Sequence, residues 1–442
     1  MSELKDSAAH PESRIDTLRA ERAAAVPDPS APKAADPSAS PEKRTLLGYL
    51  ALMGPAFVVG AWQFGPGNLA TAVQAGSGYR YTLIWVIAVS TLLMIFFTDM
   101  SVRLGIASPL SLISAIKKHL GRPVGYAAGV GVFFITLMFS VGNAVGSGLG
   151  LSMIVGGSPV VWTVVCTIAV GFVLAFKNVY GIIERILLGV VALMGVAFIA
   201  SAVLAQPDWY QALEGMAPTL PAGSEILVVA LVGTNFSINA AFYNSYGIRE
   251  HHRTRADYRD ITLMDTIPGI VAPGIMTVLV IVVAASVLGK TGQEAATINA
   301  LASVFAPLAG AVGSTIFALG LSGAAFSSMI ANATAGGTML SDALGRGGAG
   351  GSVTARVVTG VILAFGLATT LTFQGSPVGL IVIAQSLTVL VSPLLGVLLV
   401  IMSNRRSLMG DLRNRWWHNL AAAVGIIAIL ATSVRLLTTL LG

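Results

Sequence analysis

Long apolar runs separated by short polar segments organise the chain from residue 47 almost to its end. Eleven of these runs reach the roughly 20 residues that an α-helix needs to cross a bilayer. They lie at residues 47–76, 81–105, 124–150, 158–176, 183–205, 224–248, 262–289, 305–342, 353–373, 378–403 and 417–440. The pattern therefore predicts an all-α polytopic membrane protein with eleven transmembrane helices.

Two of the eleven runs, the first and the sixth, are interrupted near their middle. Gly65-Pro66-Gly67-Asn68 divides the first run, and small and polar residues crowd the sixth run between Gly233 and Asn244. Irregular backbone at membrane depth is tolerated only where it lines a cavity inside the protein. Broken helices at corresponding positions of two halves are typical of secondary transporters. We therefore expect two inverted repeats of five helices, with the substrate site between them.

This organisation divides the chain into a tail and one transmembrane domain. Residues 1–45 are rich in Ala, Pro, Ser and mixed charge, a composition that favours a disordered tail. The domain from 46 to 442 is predicted to hold repeat one at about 47–205 and repeat two at about 224–403. The eleventh helix, at about 417–440, is then an addition outside the repeats.

Composition and charge place the chain in the membrane and exclude other classes. Of its residues 55% are hydrophobic and 10% are charged, against about 25% charged in soluble domains. With the N-terminus inside, fifteen Lys and Arg residues fall in inner loops and two, Arg80 and Lys290, in outer loops. We therefore expect a protein of the inner (plasma) membrane with a cytoplasmic N-terminus and an external C-terminus. The net charge of +6 is explained by this orientation and not by a nucleic-acid partner.

The sequence carries no pattern that is typical of an enzyme or of a cofactor site. It contains no HExxH motif, no glycine-rich nucleotide loop and no Ser/His/Asp arrangement, and its one cysteine, Cys166, lies in an apolar run. A disulfide framework or a cysteine metal cluster is therefore excluded. We expect a non-enzyme without a cofactor, whose partners are the lipid bilayer and a small solute or ion, with no obligate protein partner.

Several segments together resemble the Nramp family of divalent metal transporters. They are GPAFVV at 54–59, GPGNLATAVQAGS at 65–77, VRLGIAS at 102–108, ALGLSGAAFSSMIANATAGG at 318–337 and NRRSLMG at 404–410. The resemblance covers roughly residues 47–415. It implies a LeuT-like fold, alternating access, and cation substrates such as manganese or iron that are moved with protons.

The resemblance also exposes replacements in the broken helices. The family has Asp-Pro-Gly-Asn in the first of them, where this chain has Gly65 in place of the metal-binding Asp and keeps Asn68. The family has Met-Pro-His in the sixth helix, where this chain has Ser237, Ile238 and Asn239. A backbone carbonyl that the family donates to the metal would come from Thr234.

Other family positions carry the coupling of transport to protons. An Asp and a Glu of the third helix correspond to Ser140 and Asn143, neither of which titrates. Gln385 in the tenth run matches a family glutamine near the site. The resulting candidate positions are Gly65, Asn68, Thr234, Ser237, Asn239 and Gln385 for substrate and Ser140 and Asn143 for coupling, with Asn68 and Thr234 at most as metal ligands.

This set of side chains contains amides, hydroxyls and carbonyls but no carboxylate or thioether. Divalent ions need anionic or strongly donating ligands to replace their water, and a soft ligand to favour transition metals. We therefore predict cation transport through a remodelled, uncharged site, in which the ion is weakly bound or still hydrated. Standard transition-metal/proton symport is not expected.

Two other interpretations remain open. The half-helix N-termini carry partial positive charge, so a neutral or anionic organic solute is the main alternative cargo. A non-transporting membrane receptor on the same fold is the third. The same polar residues could also be helix packing contacts, which is our expectation for Gly142, Gly146 and Gly150. Asp99 and Arg103, four residues apart, are predicted to form a structural ion pair.

Overall fold

The computed structural model describes residues 54–175, 177–289, 311–348, 351–373 and 375–441, and the predicted tail at 1–45 lies outside these ranges. The described residues of the first half form eight helices. They are α1 (Pro55–Gln63), α2 (Pro66–Tyr79), α3 (Ile84–Ala107), α4 (Leu112–Leu120), α5 (Arg122–Val155), α6 (Pro159–Ala175), α7 (Lys177–Leu204) and the short α8 (Trp209–Glu214).

The second half continues with ten helices in its described residues. They are α9 (Glu225–Asn235), α10 (Ile238–Glu250), α11 (Tyr258–Ile261), α12 (Ile267–Val287), α13 (Ala311–Ala343), α14 (Val353–Thr372), α15 (Pro377–Leu387), α16 (Ser392–Asn404), α17 (Arg406–Met409) and α18 (Trp416–Leu441). A π-helical turn, Thr262–Thr266, joins α11 to α12, and a 3-10 turn, Thr388–Leu390, follows α15.

Both predicted interruptions are present. The first run is divided into α1 and α2 at Phe64 and Gly65, and Pro66, which lacks an N–H, is the first residue of α2. The sixth run is divided into α9 and α10 at Phe236 and Ser237. The described backbone therefore confirms broken helices in the first and sixth runs.

Every predicted run overlaps helical residues of the described chain. Seven continuous helical stretches in these residues are long and apolar enough to cross a membrane, and the bent pair of Pro377–Leu390 and Ser392–Asn404 gives an eighth. This pair bends by 40°, a break that the sequence analysis did not predict. The result is a nearly all-helical, membrane-spanning architecture, while the boundaries of the two repeats remain a prediction.

The helices pack closely where glycines remove side chains from their contacts. Among the described helices, α5 and α13 make the most extensive contact. Along it Gly129 lies against Ala343 and Gly150 lies against Ser322, so the two helices are antiparallel. Gly146 of the same helix packs against Pro66 at the start of α2. The predicted packing role of the α5 glycines is therefore confirmed for Gly146 and Gly150.

Short α4 packs its apolar side into the protein. Leu112, Ile113, Ala115 and Ile116 are buried in a cluster that also contains residues of α3, α5 and α10. The basic residues Lys117 and Lys118 follow in its last turn. The helix therefore joins the helical bundle at the end where α10 and α13 also end.

Candidate functional site

The candidate substrate residues are buried and lie at or next to the two breaks. Asn68 belongs to the first turn of α2, Thr234 to the last turn of α9, and Asn239 to the first turn of α10. Ser237 lies in the second break itself, and Gln385 lies near the end of α15. Because α2, α9 and α15 pack on one another, the structure brings both breaks and the tenth run together.

Oxygen atoms from three helices surround the volume that a side chain at position 65 would fill. A Cβ atom there would lie 2.8 Å from Ser328 Oγ, 3.2 Å from the Trp62 carbonyl oxygen and 3.4 Å from Asn143 Oδ1. Ser328 donates a hydrogen bond of 3.0 Å to the Trp62 carbonyl. Gly65 has φ −87° and ψ −177°, which any residue can adopt. The glycine therefore allows Ser328 and the Trp62 carbonyl to approach closely and does not serve a special backbone conformation.

The Gln385 side chain fills the space left by two other glycines. Its Nε2 lies 2.5 Å from where a Cβ of Gly67 would stand and 2.7 Å from where a Cβ of Gly142 would stand. Gly233 of α9 lies against its backbone carbonyl. Both amide atoms, Nε2 and Oε1, are buried without a hydrogen-bond partner. An amide in this condition is costly to bury unless water or a ligand bonds to it.

Three asparagines, two at the breaks and one on α5, also have a buried amide nitrogen without a hydrogen-bond partner. Asn68 accepts a 2.9 Å hydrogen bond from Thr277 on α12, and Asn239 accepts a 2.9 Å bond from Ser237. The Nδ2 atoms of Asn68, Asn239 and Asn143 are all buried without a partner. The centre of the bundle thus contains several amide groups whose hydrogen-bonding capacity the protein does not use.

The side chains of two candidates bond elsewhere, although for Thr234 the candidate group is the backbone carbonyl. The Ser140 hydroxyl donates to the carbonyl of Ile362 at 2.8 Å, so this residue faces α14. The Thr234 hydroxyl donates to Leu231 of its own helix at 3.0 Å. Of the two coupling positions, the structure therefore brings Asn143 to the Gly65 volume and places Ser140 in a helix contact.

Neighbouring amides are, by contrast, fully occupied. Gln63 at the end of α1 donates to the carbonyl of Asn235 at 3.2 Å and so links the two breaks. The Asn235 amide donates to Ile87, Ser90 and Thr91 of α3. These bonds fix the two breaks to each other and to α3, so the unpartnered amides are held in a rigid frame.

Sequence reasoning missed some residues of this region. It did not select Ser328, Trp62 or Thr277, although Ser328 belongs to the paired serines of the AAFSSM segment in an otherwise apolar run. Polar residues in the middle of a span were the available signal. The helix that would bring Ser328 to the first break could not be identified without the packing of α13 on α1.

No fixed charge lies among these residues. Within the described ranges no group of three or more His, Cys, Asp or Glu side chains could hold a metal ion. The buried acids Asp99, Asp265 and Asp342 all have bonding partners at the end of the bundle. The arrangement can bind a small polar or hydrated solute, but it offers no carboxylate to a bare divalent ion.

A partly open cavity of about 150 Å³ lies away from the two breaks. It is lined mainly by apolar residues of α5, α6 and α15, among them Val145, Leu149, Val160 and Leu380, and by Phe373 after α14. Its lining contains none of the candidate residues. The polar centre of the bundle is therefore the better candidate for a substrate site.

The chain is similar to known proteins over most of its length. A family model described as natural resistance-associated macrophage protein-like matches residues 56–439. A divalent metal cation transporter MntH of Klebsiella pneumoniae is 26% identical over 410 residues, which are 89% of this chain and 95% of the relative. A divalent metal cation transporter MntH of Pectobacterium carotovorum is 28% identical over 292 residues, 65% of this chain and 71% of the relative.

Solved structures show the same fold at lower identity. The manganese transporter of Eremococcus coleocola, in complex with an aromatic bis-isothiourea compound, has a TM-score of 0.73 at 17% identity and covers 89% of this chain and 87% of its own. MhsT in complex with L-phenylalanine has a TM-score of 0.59 at 16% identity, over 86% of this chain and 98% of its own. The LeuT-like fold expected from the sequence is confirmed by these similarities.

Proposed function

Because the chain belongs to the Nramp family, whose members are membrane transporters and not enzymes, we propose that it is a secondary transporter that moves metal cations by alternating access through an uncharged site. The protein resides in a membrane. We further propose that this is the inner (plasma) membrane, with the N-terminus cytoplasmic and the C-terminus external, because of the distribution of Lys and Arg among its loops.

The observation that carries the proposal is the set of unpartnered amides at the two breaks. Asn68, Asn143, Asn239 and Gln385 each keep a buried amide atom without a hydrogen-bond partner. Buried polar groups in proteins are nearly always bonded, and those that are not indicate a ligand or ordered water. We assign the substrate-binding role to these four residues, to the Gly65 volume, and to Ser237 and Thr234 of the second break.

The chemistry of these ligands sets the state of the cation. Removing the water from a buried ion costs several kcal/mol per charge. Amide and hydroxyl oxygens do not compensate for this cost in a divalent ion. A 180° flip of an Asn or Gln amide exchanges the positions of its nitrogen and oxygen. The oxygen can then accept hydrogen bonds from the water molecules that hydrate the ion. The cation is therefore held weakly and keeps much of its hydration shell. Discrimination among divalent ions is small, since no soft ligand is provided.

Coupling to protons of the usual family type is not part of the proposal. Proton movement needs groups that titrate, and the corresponding positions carry Ser140 and Asn143. Ser140 is engaged with α14 through its bond to Ile362. Cation movement through this site then follows the gradient of the ion itself or of another ion.

A second candidate function has one observation in its favour. The unpartnered atoms are mostly N–H donors, namely Nδ2 of Asn68, Asn143 and Asn239, Nε2 of Gln385 and the indole Nε1 of Trp62. Donors suit an accepting solute such as a carboxylate, and the N-termini of α2 and α10 at the breaks favour negative charge. A neutral or anionic organic solute is therefore the alternative cargo.

Uptake into liposomes separates the two candidates. Purified protein in vesicles is offered manganese, magnesium and a panel of small organic acids, with a pH dye inside. We expect uptake of both metals at similar rates, without acidification of the interior. The Gln385→Met variant, which removes an unpartnered amide at nearly constant volume, tests the site itself and should lose at least tenfold in rate.

Two results of that experiment would overturn the proposal. Accumulation of an organic acid, with no uptake of either metal, would establish the alternative cargo. Rapid uptake of manganese over magnesium with internal acidification would restore the ordinary family mechanism and contradict an uncharged site.

A further inference from the structure

We propose that three aromatic side chains, Trp62, Tyr243 and Tyr246, form a gate between the two breaks and the end of the bundle, and that the buried carboxylate of Asp342 keeps this gate closed. The three residues are called the aromatic column below. The inference rests on the proposed function, because a gate has a purpose only in a protein that moves a solute.

The column begins at the candidate site. Trp62, whose carbonyl borders the Gly65 volume, packs edge to face on Tyr243, with ring centroids 6.3 Å apart and planes at 76°. Tyr243 stacks on Tyr246 with centroids 6.2 Å apart and planes at 16°. Both tyrosines lie on α10, four and seven residues after Asn239, so they share its helix face. The column therefore continues from the second break along α10.

Asp342 fixes the far end of the column. Tyr246 donates its hydroxyl to Asp342 Oδ2 at 2.6 Å, and Ser114 of α4 donates to Oδ1 at 2.6 Å. Ser111 also donates to Oδ2, and the Lys117 ammonium group donates to the backbone carbonyl of Asp342. The carboxylate is only 3% exposed. Hydrogen bonds to a buried charged group are among the stronger ones in proteins, so this anchor is firm.

The anchor lies well outside the candidate substrate site. Asp342 follows Ser328 by fourteen residues on α13, which at 1.5 Å per residue places it about 21 Å further along the helix. The carboxylate is therefore not a ligand for cargo at the two breaks. Its place is the end of the bundle, where α4, α10 and α13 meet.

The anchor also joins helices that otherwise have little contact. The α10 helix packs extensively on α3 and also on α1, but has few contacts with α4, α5 and α13. The α13 helix packs along the length of α5. The Tyr246–Asp342 bond thus crosses between two groups of helices that can move against each other. Rocking of one group against another is how such transporters expose their site to one side.

These contacts make the bond a conformational latch. With it intact, the stacked rings occupy the route from Asn239 to the end of the bundle, and Asn239 itself is fully buried. When it breaks, α10 is free to carry Tyr243 and Tyr246 away from α13, and solute at the breaks can leave at this end. The latch therefore controls the fraction of molecules that are open there.

Labelling of a cysteine at the site tests the latch. Asn239→Cys is introduced into a Cys166→Ala background, and a membrane-impermeant maleimide is applied to vesicles of both orientations. Lys118→Cys, at an exposed position on α4, reports which side is the latch end. We expect Tyr246→Phe to raise the labelling rate of Cys at 239 about tenfold from the latch end only, as expected for loss of one bond to a charged group.

A matched tyrosine provides the control. Tyr258 also donates its hydroxyl to a buried carboxylate, Asp99, at 2.7 Å, but it takes no part in the column. Tyr258→Phe should leave the labelling rate within twofold of the parent. Asp342→Asn is the second probe of the latch, should Tyr246→Phe fail to fold, and it should again raise the rate from the latch end.

The outcomes separate the latch from the proposed function. Unchanged labelling in folded Tyr246→Phe and Asp342→Asn proteins would overturn the latch, whatever the liposomes transport. Faster labelling from both sides would also overturn it, since it would indicate general loosening. Faster labelling from the latch end, together with no metal uptake by the parent protein in liposomes, would support the latch and reject the proposed cargo.

Discussion

Two amides at the centre of the bundle and two acids at the end where α10 and α13 terminate differ in how they are bonded. At the centre, Gln385 and Asn143 are neutral and leave amide atoms unbonded. At the end, the carboxyl groups of Asp99 and Asp342 each accept several hydrogen bonds. The bonds of the two acids are used within the protein, whereas the two amides keep hydrogen-bonding capacity for a solute.

The charged end is built around buried ion pairs and caps. Asp99 accepts a 2.9 Å bond from Arg103, the pair that the sequence predicts, and a 2.7 Å bond from Tyr258. Asp265 accepts bonds of 2.9 and 3.0 Å from the backbone N–H groups of Gly54 and Ala56, and so caps the N-terminus of α1. Charge buried in this way stabilises only as long as every partner stays in place.

Removing one partner of the ion pair is the largest expected effect on stability. Asp99→Asn leaves the Arg103 guanidinium buried without its counter-charge, which costs about 3 kcal/mol of unfolding free energy. Unfolding in mixed detergent micelles, followed by circular dichroism, measures the loss. The exposed pair of Arg255 and Asp411, 3.5 Å apart, supplies the control, and Arg255→Gln should leave the unfolding midpoint unchanged. Equal midpoints for Asp99→Asn and the parent would remove the distinction between the two regions.

A carboxylate introduced at the centre should give the site the negative charge that it lacks. Gly65→Asp directs an acid into the volume bordered by Ser328 and Asn143. To admit its Cβ, the Ser328 hydroxyl must rotate away and the Trp62 carbonyl, 3.2 Å from that Cβ, must shift slightly. We expect manganese to bind about a hundredfold more tightly, a gain of about 2.7 kcal/mol. Isothermal titration calorimetry measures the change. Gly65→Asn has the same shape without the charge and should leave the affinity low, and tighter binding by both variants would contradict an electrostatic cause.

Substitution of two amides at the centre of the bundle should change stability by smaller amounts, and by different amounts for the two residues. Asn235→Leu removes the contacts of its amide nitrogen with Ile87, Ser90 and Thr91 of α3, so it should destabilise the protein by about 2 kcal/mol. Gln385→Met removes an amide that has no partner, so stability should change by less than about 1 kcal/mol. Thermal unfolding of the two variants in one detergent makes the comparison. A larger loss for Gln385→Met would mean that its amide is bonded within the protein.

The sequence predicts the fold well because the bilayer leaves few choices. Apolar runs of spanning length are expected to be helices, and a cluster such as Gly65-Pro66-Gly67-Asn68 in the middle of a run indicates a break. Both breaks, the Asp99–Arg103 pair and the close packing at Gly146 and Gly150 follow from such local patterns.

The sequence predicts the site less well because the site depends on contacts between distant helices. Nothing local connects Ser328 to Trp62, 266 residues away, or Asp342 to Tyr246. The bend after α15 also escapes prediction, since Thr388–Leu390 contains neither glycine nor proline. Ser140, whose coupling position is inferred from the family resemblance and stays a prediction, bonds to Ile362 of α14, a contact that nothing local indicates.

The most direct test of the central claim is a structure of the protein with manganese, in which anomalous scattering locates the ion. An uncharged site predicts either no ordered manganese at the two breaks or an ion separated from Asn68 and Thr234 by water. A manganese peak at direct ligand distance from these residues, about 2.0 to 2.6 Å, would contradict the account.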